Sequence, residues 1–361
     1  MKNVIICFKP PEKGGYIGGF TTLCNDYLEN AKIFEAHNIL IKPFYYQAPK
    51  NSFYYKSKNS IIKNIIYGVS QCKALRKFLK DNPKTSVHIH TSRKWLFIKD
   101  VLLALMIRKL TQDKIIFTIH VGDIETVFHN NLSKRLCIRL MNKCVDKTLF
   151  LSAKMRLQFI DNGLIASKSA VLYNFYNVNR TKFIKNNAIP QIVYLGSINK
   201  EKGILELLKA VSLISIPFQL HICGSIIEES IREPFESHLK QLKDKVLFHG
   251  YINKEQKNKI LQHTDILVLP SYREGLPISI LEAMANSCAI ITTPVGAIPE
   301  ILDEKHAIFI TPANIIELKL ALEKLLTAPT IMQEMQEANY VASAKYQLNE
   351  HIRQLCLIYN E

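Results

Sequence analysis

Two glutamates separated by seven residues, Glu274 and Glu282, lie in the stretch Leu269-Pro270-Ser271-Tyr272-Arg273-Glu274-Gly275-Leu276-Pro277, which continues through Ile280-Leu281-Glu282 to Ala285. An apolar strand ends at Pro270. A loop with Ser271, Gly275 and Pro277 follows, and a helix is expected to open near Pro277, a residue suited to the first helical position. Glu274 then sits in the loop just outside the helix N-terminus, and Glu282 about a turn and a half inside it. Backbone N–H groups at a helix start attract phosphate, and carboxylates accept hydrogen bonds from sugar hydroxyls. Taken singly, each glutamate reads as a loop or surface residue; together they suit a phosphorylated sugar.

A second segment, Val193-Tyr194-Leu195-Gly196-Ser197-Ile198-Asn199-Lys200-Glu201-Lys202-Gly203-Ile204, reads as a strand, a turn and a helix start. Gly196 allows close approach of backbone to a phosphate. Lys202 supplies a point charge for a departing diphosphate, or is a plain surface lysine. Near the N-terminus, Gly14-Gly15 and Gly18-Gly19 fall between the first strand and the first helix, where they make either a ligand-accepting loop or a turn. His120 ends the strand of Phe117-Thr118-Ile119-His120-Val121-Gly122-Asp123; Asp123 is a lesser candidate. His88 and His90 share one face of another strand, with no accompanying cysteine or carboxylate cluster, so a metal site is not the expected reading.

Together these residues resemble glycosyltransferase family 4, the retaining transferases of the GT-B fold. In that family two glutamates with this spacing precede Ala-Met-Ala, here Ala283-Met284-Ala285. The resemblance implies that Glu274 contacts hydroxyls of the donor sugar and Glu282 holds the nucleotide ribose. It places the diphosphate against the backbone of Gly275-Leu276-Pro277, with Lys202 as its lysine. The family usually has an arginine after the glycine, where this chain has Ser197, so half of the cationic clamp is missing. Gly224, in Ile222-Cys223-Gly224, resembles a strand-end glycine of the nucleotide domain. Tyr251, in Phe248-His249-Gly250-Tyr251, resembles the loop beside the base, and Pro294–Glu300 the following Gly-x-x-Glu turn. The family's paired glycine maps onto Gly18 and Gly19, and its donor-reaching histidine onto His120. Ser287 and Ala289 stand where the family favours Gly and Pro, which are packing positions.

The elements that carry these residues alternate between short apolar strands and helices. Strands are expected at Val4–Phe8, Ser86–His90, Ile115–Ile119, Thr148–Leu151 and Ala170–Tyr173. A second series runs through Gln191–Leu195, Phe218–Cys223, Val246–Phe248, Ile266–Leu269, Ala289–Thr292 and Ala307–Ile310. Helical runs include Phe20–Phe34, Ile61–Lys80, Leu96–Leu110 and Leu132–Val145, with helix from about Ile315 onward. Buried strands between amphipathic helices imply parallel sheets covered on both faces. The fold class is therefore α/β: two Rossmann-like, doubly wound domains facing across a cleft, with C-terminal helices packing back toward the first. The polar stretch Asn174–Ala188 reads as the linker. Residues 1–180 form the acceptor domain, 190–345 the donor domain, and 346–361 a helix returning to the N-domain.

With 361 residues and 48% hydrophobic content, the chain can bury two ordinary cores. The apolar run Trp95–Leu110 is broken by Lys99, Asp100 and Arg108 and is shorter than the roughly 20 residues that span a bilayer. The eight cysteines include no Cys-x-x-Cys pair and read as buried free thiols. Net charge is +16, unevenly spread: residues 1–185 hold 31 Lys+Arg against 11 Asp+Glu, and the remainder 16 against 20. A basic N-terminal half suggests docking on an anionic membrane surface, through the 61–80 helix or through Arg135, Arg139 and Lys143. Nucleic acid is not the expected partner, since no recognition motif or aromatic platform is present. The compartment expected is the cytoplasm, with peripheral attachment to the inner face of the cell membrane.

The function expected is retaining transfer of a hexose or N-acetylhexosamine from a nucleotide sugar, UDP-linked by frequency, to a hydroxyl of a lipid-linked glycan during surface polysaccharide assembly. The nucleotide sugar is a co-substrate; no cofactor is permanently bound and no metal is required. The alternatives are a non-catalytic partner subunit, for which Ser197 speaks, and a sugar-nucleotide epimerase of the same fold.

Overall fold

The structure is a computed structural model that describes residues 1–8, 19–45, 61–82, 84–110, 113–128, 130–178, 180, 182, 185 and 187–361. The expected glycines Gly14, Gly15 and Gly18 lie outside the described residues. The chain divides into two compact units: Met1–Tyr173 with Asn349–Glu361, and Asn174–Leu348.

Unit 1 holds a parallel six-stranded sheet of β1 (Lys2–Phe8), β2 (Ile39–Tyr45), β3 (Thr85–Thr91), β4 (Ile115–Ile119), β5 (Lys147–Phe150) and β6 (Ser169–Val171), in the order β2-β1-β3-β4-β5-β6. Every residue of β3 and β4 is buried; β4 reads accordingly as a near-continuous apolar run, whereas β3 buries Ser86, His88 and His90 among its β-branched residues. β2 was not expected, because Pro43 interrupts its pattern. It lies at the sheet edge with β1 as its partner, and an edge is where a strand tolerates proline. The first helical run splits at Asn30 into Gly19–Glu29 and Ala31–Ala36.

The C-terminal helix, Leu348–Asn360, contributes its residues from Asn349 onward to unit 1. Two buried histidine–tyrosine pairs hold it. His351 Nε2 contacts the Tyr27 hydroxyl at 2.6 Å and its Nδ1 the Tyr173 carbonyl at 2.8 Å. The Tyr359 hydroxyl contacts His88 Nδ1 at 2.6 Å.

Unit 2 holds β7 (Gln191–Leu195), β8 (Gln219–Cys223), β9 (Val246–Gly250), β10 (Ile266–Leu269), β11 (Ala289–Thr292) and β12 (Ile308–Phe309), all parallel. The order β12-β11-β10-β7-β8-β9 reverses direction between β7 and β10. A doubly wound sheet binds ligands beyond the carboxyl ends of the strands at such a reversal. In unit 1 the corresponding reversal lies between β1 and β3.

The stretch read as a linker is packed onto unit 2 where it is described. Asn174, Phe175 and Tyr176 are buried, Tyr176 N–H donates to the Tyr346 carbonyl at 3.0 Å, and the Arg180 guanidinium lies over the Tyr340 ring. All eight cysteines are buried free thiols. No helix among the described residues is long and apolar enough to cross a membrane.

Candidate active site

The loops that follow β7, β8, β10 and β11 are tied to one another by backbone contacts that leave no room for side chains. Gly203, left-handed at φ 65°, ends the short turn Lys200–Lys202. A Cβ there would stand 2.2 Å from the Pro270 carbonyl oxygen. Tyr272 N–H donates to the Glu201 carbonyl at 2.8 Å, fastening the same two loops. Gly296, also left-handed, brings the loop after β11 against the Glu274–Gly275 backbone, where a Cβ would stand 2.2 Å from the Glu274 oxygen. Ala297 N–H donates to the Gly275 carbonyl at 2.8 Å. Gly224 approaches Gly196 so closely that a Cβ would lie 1.8 Å from the Gly196 oxygen.

These contacts make Gly203→Ala and Gly296→Ala costly. Each combines left-handed strain with a backbone clash, together on the order of 2–4 kcal/mol. Gly250, left-handed with nothing within 4 Å of its would-be Cβ, bears the strain alone, about 1–2 kcal/mol. Thermal unfolding should rank Gly250→Ala clearly above the other two in melting temperature; equal losses at all three would refute the close-approach account.

Within this frame Lys202, Ser271 and Glu274 converge. Lys202 Nζ lies 2.6 Å from Glu274 Oε1, and the Ser271 hydroxyl donates to the same oxygen at 2.7 Å. Ser271 is buried, and the Glu274 side chain is only 8% exposed. Gly275 and Leu276 lead into the helix Ile278–Ala285. Pro277 is the cap residue of that helix rather than its first residue, and no side chain caps the helix start. The orphan N–H groups of the first turn are therefore available to an anionic ligand. Asn174 Nδ2 donates to the Leu276 carbonyl at 2.7 Å and so anchors the loop.

Glu282 lies within this helix, 5% exposed, and accepts from Lys257 Nζ of the helix Lys254–His263. Neither glutamate is the solvent-facing residue that each suggests in isolation. Ser197 is buried, its hydroxyl accepting from Asn199 Nδ2 at 2.9 Å and its carbonyl from the Tyr194 hydroxyl at 2.8 Å. Tyr251 stands exposed just beyond β9. Beside the Lys202 turn lies a cavity of about 660 Å³ lined by Lys200, Glu201, Leu205, Glu206, Tyr272 and Arg273. Burial, and then the hydrogen bond to Glu206, push the Tyr272 hydroxyl up to about 12.

The remaining candidates lie in unit 1. Gly19 opens the helix Gly19–Glu29. His120 follows β4; its Nε2 contacts His90 Nδ1 at 2.8 Å, and the two rings stack at 5.1 Å. Burial pulls His120 down to about 3, so the ring is neutral at physiological pH. His88 contacts Thr118 Oγ1 at 2.7 Å through Nε2. Asp123 has a structural task, capping the helix Ile124–Val127.

Asn174 and Lys257 were not singled out from the sequence. An asparagine in a polar stretch and one lysine on a polar helix carry no distinguishing signal. Gly203 and Gly296 belong to recognisable segments, but their necessity shows only in the loop contacts.

Each unit is a doubly wound, Rossmann-like domain, and the uncapped helix start at Ile278 belongs to unit 2. Residues 177–342 match the family model of glycosyl transferases, group 1. An uncharacterised glycosyltransferase of Methanocaldococcus jannaschii is 22% identical over 351 residues, covering 96% of this chain and 95% of that protein. An uncharacterised protein in the cps region of Klebsiella pneumoniae is 22% identical over 303 residues, covering 80% of this chain and 81% of its own. Among solved structures, Anabaena HepE in complex with UDP superimposes with a TM-score of 0.76 at 14% identity, over 100% of both chains; the same protein has also been solved with UDP-glucose. That likeness is one of fold, and the fold is GT-B. The chain is a glycosyltransferase whose unit 2 carries the group 1 segment.

Proposed function

We propose that the protein is a retaining hexosyltransferase of family 4 type, using a UDP-linked sugar to extend a lipid-linked glycan in surface polysaccharide assembly at the inner face of the cell membrane. The observation that carries this reading is the contact of Lys202, Ser271 and Glu274 beside an uncapped helix start. Lys202 and the first-turn N–H groups meet the diphosphate, and Glu282 meets the ribose. Gly196 and the loop Gly275–Pro277 let backbone approach the nucleotide closely, Gly224 seats the loop after β8 against Gly196, and Tyr251 lies beside the base. Glu274, released from Lys202 as the diphosphate arrives, accepts from sugar hydroxyls; it is a positioning group and not the base. His120 and Gly19 keep the donor-binding role that the family resemblance implies for them. HepE's complexes with UDP and UDP-glucose support a UDP sugar, and the cps-region relative supports polysaccharide assembly.

In the reaction, the bond from the anomeric carbon to the diphosphate oxygen breaks, and the acceptor oxygen bonds to the same face. The acceptor's proton passes to the departing diphosphate. Lys202 and the N–H groups offset the charge that develops there, a role that needs no resident metal. The stereochemical claim is tested without knowing the acceptor. Slow hydrolysis of UDP-glucose, followed by proton NMR, should release α-glucose first; initial release of β-glucose would contradict retention.

Ser197 supports a second reading. Its hydroxyl is engaged by Asn199 and brings no charge to a departing diphosphate, which suits a subunit that binds nucleotide without turning it over. Complete absence of donor turnover, with nucleotide binding intact, would favour it.

A further inference from the structure

Two neighbouring helices of unit 1 carry apolar side chains that are exposed among the described residues. On the helix Trp95–Ile107, Leu102, Leu105 and Met106 are exposed, Met106 by 53%. Their spacing of three and four residues puts them on one helix face, and exposed Lys109 follows in the same register. The helix Asn131–Cys144 packs against the first. Its core face is Cys137, Ile138, Met141 and Cys144; its exposed face carries Leu132, 76% exposed, and Leu136. Arg135, Arg139 and Lys143 are exposed on the same face. This helix contains no acidic residue.

Leucines and cations on one helix face narrow the partner. A second copy of this chain would bring like charges together across a two-fold interface. Nucleic acid would use the cations and leave the leucines in water. A bilayer with anionic headgroups takes both: leucines enter the acyl boundary and the basic groups meet the headgroups. We propose that the exposed faces of the helices Trp95–Ile107 and Asn131–Cys144 dock unit 1 on an anionic lipid bilayer, with Leu102, Leu105, Met106, Leu132 and Leu136 as the apolar anchor. This deepens the lipid-linked acceptor reading and gives it a physical surface, yet binding is measured without donor, acceptor or turnover, so either idea can fail alone.

The full chain is co-sedimented with phosphatidylcholine vesicles and with vesicles carrying about one-third phosphatidylglycerol. It should partition onto the anionic vesicles and come off as salt rises. The variant L102S/L105S/M106S should lose about tenfold or more in partitioning, and R135E/R139E/K143E about a hundredfold, since each cation contributes roughly fivefold. Melting temperatures near that of the wild type show that the variants fold, and L132Q/L136Q tests the second helix should the first variant fail. The proposal is overturned if the wild type ignores anionic vesicles. It is equally overturned if the leucine variants bind as tightly as the wild type, or if their only effect is to convert a dimer into a monomer.

Discussion

Lys202→Ala should lower donor turnover by about two to three orders of magnitude, the range seen when one preorganised group facing developing charge is removed. The lysine's position makes this specific. Its ammonium sits on Glu274 beside the helix start, fixed by a turn whose closing residue, Gly203, is pressed onto the backbone of Pro270. A flexible surface lysine would spend much of its time elsewhere; this one is held where the diphosphate is proposed to leave. Glu274→Gln should also cost activity, through lost contacts to sugar hydroxyls. The double variant should cost little more than the worse single one, because residues that act as a unit are not additive. Steady-state turnover of a UDP sugar across the four proteins, each with its melting temperature, decides this. Strict additivity of the two losses would mean that the ion pair is not part of one site.

The second large effect is loss of unit 1 at acid pH. His88, His90 and His351 are buried and half-buried His120 stacks on His90; desolvation lowers the proton affinity of all four. His88 and His120 fall to about 3 and His351 to about 4, against about 6.5 in an unfolded chain. The folded state therefore binds fewer protons than the unfolded state below pH 6.5, and stability rises with pH across that window. Conversely, as pH falls from 6.5 toward 4, each histidine withdraws up to about 1.4 kcal/mol per pH unit. Four together remove several kcal/mol by pH 5, a large share of a domain's stability. Because His351 and its neighbour Tyr359 hold the C-terminal helix, protonation should release that helix as unit 1 melts. Thermal scans from pH 7.5 to 4.5 should show a transition for unit 1 that drops steeply below pH 6.5. A pH-independent melting temperature down to pH 5 would contradict the burial of the cluster.

Much of the fold was legible in the sequence because buried parallel strands write themselves as β-branched runs, and because glycines and prolines punctuate the loops. β2 was missed for a local reason: Pro43 argues against a strand, and only its edge position removes the objection. The glutamate segment was legible because the chemistry and the local elements coincide there. Its environment was not. That Glu282 is buried against Lys257, that Asn174 anchors Leu276, and that Gly296 seats the following turn are contacts between segments distant in sequence. The histidine cluster is a similar case: His88 and His90 read as a pair on a strand, and nothing near them in sequence announces His351 or Tyr359. The basic helices were visible as charge, whereas their leucines became informative only once burial showed which of them the core does not use.

The most direct test of the central claim is nucleotide binding by unit 2. Thermal unfolding of the full chain is followed with UDP, GDP, ADP and their common sugars, on wild type and on Glu282→Ala. Binding to the native state stabilises it by RT ln(1 + [L]/Kd), about 2.7 kcal/mol when ligand reaches a hundred times Kd. The prediction is that the uridine ligands raise the wild-type melting temperature by several degrees and leave Glu282→Ala unmoved. If no nucleotide shifts the wild type at millimolar concentration, or if Glu282→Ala responds as fully as the wild type, the donor site is not where Glu274 and Glu282 place it.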